Sequence, residues 1–358
     1  MADKLKQKGG ANSQQIQAET AIIGIDEQRA RQIYYELFDR QVKDLAYEAS
    51  VIAAQRIGVF EGKIINRLEK IESAFENFRD PEFLSCIQSA ENTAMQTDDA
   101  YVYDVLAELL AHKIQRKNEK KIGTGIKKAI QIVHDIDDDS LCGLTCYYTH
   151  QSFSIVTTNG KQMLEGLEKL FSKIVYSDLP ISSEWLDQLD VLSCIRISPF
   201  ATTRSFEDDL IERYEGILCN GIEKTSSDYQ TAISILNQNK MPINILVDYE
   251  FAKNTVRMKV MSEASIDELK LNVYGKQIEL TLEQKAALKK IYGLCKKGNN
   301  RVSEIRENLS KSFENYKYLS KVKHWINEMK TAFVLTGVGR VLAYTNAKRY
   351  EPNLPNMY

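Results

Sequence analysis

The 358-residue chain has little of several things that would point to a function. Six prolines and 17 glycines leave few breaks, which favours helix. Four histidines (His112, His134, His150, His324) give imidazole acid–base chemistry few candidates. No apolar run approaches the ~18 residues that span a bilayer, so no membrane partner is expected. The start has no hydrophobic stretch directly after its lysines, so a secretory signal is not expected and the cytoplasm is the default location. The six cysteines (Cys86, Cys142, Cys146, Cys194, Cys219, Cys295) are scattered in apolar surroundings and read as buried free thiols, not a disulfide frame. A net charge of −2 means that any basic surface is local. The sequence has no G-x-S-x-G, H-E-x-x-H, C-x-x-C or dinucleotide-binding fingerprint. The expectation therefore leans away from an enzyme, and no cofactor is implied.

What is present is helical texture. Residues 1–25 open with Lys4, Lys6, Lys8 and Gly9-Gly10, then turn apolar through Ile16, Ile22, Ile23 and Ile25. Such a segment reads as a tail or as a β-arm that pairs with a neighbour's sheet edge, since a lone short strand is unstable in water. Residues 26–79 read as one long helix. Apolar or small residues recur from Phe38 through Val42, Leu45, Ala49, Ile52, Phe60, Ile64 and Leu68 to Phe78, at about 3.6 residues per step. That period predicts a nearly straight helix or a broken pair, not a sustained supercoil. With the arm it suggests an oligomerisation element, carried by Ile16, Ile22, Ile23, Ile25, Val42, Leu45, Ala49 and Ile52.

Residues 80–240 read as a helical domain, with helices near 81–96, 100–117, 124–136, 139–155, 160–177, 183–197, 206–223 and 227–238. From Met241 the texture changes. "INILVDYEF" and "TVRMKVM" predict a hairpin, and "LKLNVYGKQIELT" adds strands around Tyr274-Gly275. Helices near 282–296, 302–311 and 316–330, a short "AFVLT" and a last helix from 337 to 349 complete a small α+β, winged-helix-like domain over 241–350. Residues 351–358 form a tail. The fold class is mainly α.

Two clusters could bind an anion or nucleic acid. In "HKIQRKNEKKIGTGIKK", Lys113, Arg116, Lys117, Lys120, Lys121, Lys127 and Lys128 face Glu119 alone. Gly123-Thr124-Gly125 sits where a helix is predicted to start, and N-terminal N–H groups favour anions. The spacing is not that of a P-loop, and a solvated inter-helix loop is the plainer reading. From Lys296 to Glu351, twelve Lys/Arg oppose five Glu. Lys317, Lys321 and Lys323 lie on the helix that would enter a groove in a winged helix, where lysines contact phosphates. Cys142, Cys146 and His150 share one helical face, but along a straight helix they spread over about 12 Å, so core packing is expected and a metal site is not. The run Asp135, Asp137, Asp138, Asp139 reads as helix capping.

The lead "KQKGGANSQQIQAE", the long charged helix and "LPISSEWLDQLDVLSCIRIS" resemble an uncharacterised bacterial protein family with a Gly-x-Asn-Ser…Ile-Gln-Ala opening. Similar openings occur on some bacterial anti-phage proteins. The resemblance implies a defence setting and carries no catalytic residues. The leading expectation is a self-associating sensor, adaptor or scaffold whose partners are copies of itself. A protein partner and nucleic acid bound at 113–128 and 296–349 are the alternatives, and an effector enzyme acting on a nucleotide or nucleic acid is the weaker one.

Overall fold

The computed structural model describes residues 27–198, 200, 201, 203–273, 276–297 and 302–356. The arm residues Ile16, Ile22, Ile23 and Ile25 and the turn at Tyr274-Gly275 lie outside them. The chain divides into two units, residues 1–56 and 57–358.

Helix α1 (Glu27–Leu68) supplies residues 27–56 to the first unit. It stops ten residues short of Phe78, the last residue of the apolar pattern. Ser73 adopts a left-handed conformation, and Phe75 and Phe78 fall in a 3-10 turn (Ala74–Arg79). Next come α2 (Pro81–Met95), capped by Asp80, α3 (Ala100–Gln115), α4 (Lys120–Ile132), α5 (Asp138–Ser152) and α6 (Gly160–Ile174). Helix α7 (Glu184–Val191) gives way to β1 (Ile195–Ile197). One helix was expected over 183–197. It ends early because Ser193 turns left-handed (φ 62°) while Cys194 N–H reaches back to Leu189 O at 2.7 Å, a Schellman closure that releases the β-branched Ile-Arg-Ile to pair.

Helix α8 (Phe206–Arg213) is likewise shorter than expected. A Cβ on Gly216 would stand 2.5 Å from Val260 O, so the chain must run against the segment after the hairpin there. Then follow β2 (Ile222–Glu223), α9 (Ser227–Gln238), β3 (Leu246–Asp248), β4 (Thr255–Met258), β5 (Lys270–Val273) and β6 (Lys276–Glu279). The expected hairpin is β3–β4, antiparallel, with Val247 opposite Arg257 and β2 on the far side of β4. A second antiparallel hairpin is β5–β6. The chain continues with α10 (Leu282–Lys296), α11 (Val302–Phe313), α12 (Lys317–Glu328), β7 (Phe333–Leu335) and α13 (Gly337–Tyr350).

Within residues 57–358 two cores form. The smaller gathers α9, the β2–β4–β3 sheet and α10 through Leu236, Val256, Met258, Leu288, Ile291 and Tyr292. The larger takes α2–α8 together with α11, α12, β7 and α13. This departs from the expected winged-helix-like grouping of 282–349. Leu288 and Ile291 of α10 face the small core, whereas Leu309 of α11 and Val322 of α12 face the large one. Strand β7 does not form a wing beside its own helices. It pairs antiparallel with β1, about 140 residues upstream, Ile195 opposite Leu335.

The last helix, α13, lies among α3, α4 and α5 and is buried over Val341–Ala347. Its start is wedged against β1, since a Cβ on Gly339 would lie 2.0 Å from Cys194 O. Among the described residues no helix is long and apolar enough to cross a membrane.

Candidate functional site

Three surfaces singled out by the sequence can be placed. The first is α1 in residues 27–56. There Phe38 is 54% exposed, Val42 45%, Leu45 56% and Ile52 49%, and Ala49 is exposed as well. Further down the same helix Phe60, Ile64 and Leu68 are buried. The spacing Phe38–Val42–Leu45–Ala49–Ile52 alternates four and three, so this part has the 3.5-residue period of a coiled-coil seam, although the whole stripe averages nearer 3.6. Tyr34, Tyr35 and Leu37 are more than half exposed and widen the apolar surface at its start. They went unread in the sequence because the stripe was followed at helical period from Phe38 onward. The i,i+4 ion pairs Arg31–Glu27 and Lys43–Asp39 support the helix locally.

The second surface is the basic cluster. In sequence it faces Glu119 alone, but in space it faces three acids. Lys113, itself buried, donates to Glu82 at 2.9 Å, Lys127 reaches the same carboxylate at 3.0 Å, and Lys117 lies 3.4 Å from Asp80. Arg116 pairs with Glu119 at 2.7 Å. Lys113 and Lys127 hold the Glu82 carboxyl down to about 2. Helix α4 begins at Lys120, so Gly123-Thr124-Gly125 is inside it, and Gly123 N–H donates to Glu119 O. The expected anion-binding helix start is therefore not formed by these residues. Gly125 serves packing: a Cβ there would meet Val341 at 3.1 Å and Gly337 O at 3.2 Å, where α4 crosses α13. Lys120, Lys121 and Lys128 remain exposed.

The third is α12. Lys323 is 7% exposed, donates to Ser310 Oγ at 3.0 Å and lies over the Phe313 ring, so it cannot meet a phosphate. Lys321 lies 3.3 Å from Asp178. Lys317 is exposed, over the Tyr318 ring. The start of α12 already holds an anion, because the N–H groups of Tyr318 and Leu319 donate to the Glu168 carboxylate at 3.2 and 2.8 Å. The helix packs on α6 and α8, which uses the face a recognition helix would present.

The cysteine–histidine stretch lies inside the core. Cys142 donates to Ile174 O at 3.7 Å, and burial pushes the thiols of Cys142 and Cys146 up. His150 pairs with Asp209 at 3.1 Å, stacks on Phe206, and is lowered by burial. Asp137 caps α5 through Ser140 N–H at 2.8 Å.

No curated protein and no solved structure matches the chain. A family model described only as ":-like" matches residues 24–355, and the chain belongs to that family.

Proposed function

We propose that this protein is a self-associating sensor, adaptor or scaffold, and that the α1 face at Phe38, Val42, Leu45, Ala49 and Ile52 joins copies of the chain. The observation that carries this is the exposed heptad. Helices of this kind are marginal alone in water and draw most of their stability from a packed apolar face. No side chain of residues 27–56 is buried. A seam that alternates four and three is complementary to an identical seam, so a second copy is the occupant the pattern fits. Each large side chain withdrawn from water adds about 1.5–3 kcal/mol. The resemblance of the opening to anti-phage proteins supports reading such an assembly in a bacterial defence setting.

Light scattering tests the proposal. The full chain should have the mass of an oligomer, and V42S/L45S/I52S should have that of a monomer with residues 57–358 still folded. A monomeric full chain, or a variant with the parent's mass, overturns it.

The second reading is nucleic-acid contact through Lys120, Lys121, Lys128 and Lys317, which keep their charge exposed. It predicts affinity that falls steeply with salt and falls again on charge reversal at those four positions. No binding to duplex or single strands at low salt would end it.

A further inference from the structure

Within residues 57–358, the end of α1, one side of α3 and the end of α13 enclose a cleft of about 660 Å³. Its size falls in the range of small-molecule sites. Five cations line it, Lys63 and Arg67 from α1, Lys70 from the turn after it, and Lys348 and Arg349 from α13, against two acids of α3, Asp104 and Glu108. The cleft therefore carries an excess of positive charge that the chain's −2 total conceals.

The charges are arranged in two tiers. Arg67 forms a two-pronged pair with Glu108, one prong at 2.8 Å. Lys63 donates to Asp104 at 2.6 Å, and the far side of Asp104 lies 3.5 Å from Arg349, so two cations share one carboxylate. Arg349 also donates to Asn346 Oδ1 at 2.7 Å and lies over the Tyr350 ring, which stacks on Tyr176 at 4.4 Å. These contacts commit the Nε–Nη2 edge of Arg67 to Glu108 and the terminal nitrogens of Arg349 to Asn346 and Asp104, so both guanidinium charges are held in place at the cleft. The second tier is uncommitted. Lys70 is exposed, and among the described residues Lys348 reaches the carbonyl oxygen of Pro352, at 3.3 Å, and the Tyr344 ring, with no carboxylate beside it. The nearby Glu351 does not quench the cleft, because its carboxylate pairs with Lys173.

We propose that this cleft binds a short polyphosphate chain, either free or as the phosphate end of a nucleotide. Lys70 and Lys348 meet the phosphate oxygens, and Arg67 and Arg349 add fixed positive charge beside them. The proposal does not depend on self-association.

Titration calorimetry on the full chain tests it with sodium tripolyphosphate, ATP and adenosine, at low and raised salt. Tripolyphosphate should bind, more weakly as salt rises, and adenosine should not. ATP binding as well identifies a nucleotide as an acceptable source, and tripolyphosphate alone identifies the free chain. K70E/K348E should weaken binding by about tenfold or more, while K290E on α10 leaves it unchanged. Should the double variant fail to fold, as read by circular dichroism, K70Q replaces it with a smaller loss expected. No heat with tripolyphosphate, adenosine binding as well as ATP, or equal losses in K70E/K348E and K290E would overturn the proposal.

Discussion

The first 30 residues of α1 and the whole of α13 make an instructive pair. Residues 27–56 carry a regular apolar seam and leave it exposed. Helix α13 has no such seam, yet it buries Asn346 and Thr345 along with Leu342 and Ala347. Asn346 is accommodated because its amide donates to Thr145 Oγ1 at 3.0 Å and Tyr176 OH at 3.1 Å, and its oxygen accepts from Arg349. Burial in this molecule follows from neighbours. α13 is surrounded by helices that meet its polar groups, and within residues 27–56 nothing covers the α1 seam.

The largest effect that would sharpen this contrast is expected from Gly339→Val. The added side chain meets Cys194 O, a backbone atom that cannot move without parting β1 from β7. A loss of about 3–5 kcal/mol is expected, read by urea denaturation, and a loss below 1 kcal/mol would show that α13 has room to shift. Asn346→Ala comes next. It takes the amide donor away from the Thr145 and Tyr176 hydroxyls and the acceptor away from Arg349, and should cost about 1–3 kcal/mol.

A smaller effect concerns His112, which packs against Tyr344 with Nδ1 3.4 Å from Thr345 Oγ1. Burial lowers its pKa to about 4 from an ordinary 6.5. The unfolded chain therefore binds the extra proton first. The stability this group contributes is present above pH 6.5 and is lost as pH falls through the window towards 4. The melting temperature should decline over that window, and His112→Phe should flatten the decline. The smallest effect is expected on the other side of the comparison. Leu45→Ser should shift the unfolding of residues 57–358 by no more than about 0.5 kcal/mol, although it weakens self-association. A larger shift would mean that the seam is covered from within the chain.

Much of the architecture was legible in the sequence. Asp80-Pro81, Ser226 and the Thr281–Gln284 capping box mark helix starts with local chemistry, and those starts fall where the sequence puts them. The alternating Val-Arg-Met run gave the β3–β4 hairpin for the same reason. Helix ends were less legible. Ser193 turns left-handed without being glycine, so the residue type gave no signal that the helix expected over 183–197 would stop there. The basic clusters misled because charge was counted along the chain. Glu82 lies about 30 residues from Lys113, and Glu207 more than 100 from Lys323, yet each lies beside its lysine in space.

The sequence by itself determined the helical class and the apolar stripe along α1. Those depend on periodicity and on capping within a few residues. Only the tertiary structure decided that α13 is a core helix, that β7 joins β1, that Lys113 and Lys323 are neutralised, and that Lys70 and Lys348 come to line one cleft. Such outcomes depend on contacts between segments tens to hundreds of residues apart, and no local pattern encodes which of many compatible partners a buried face will meet.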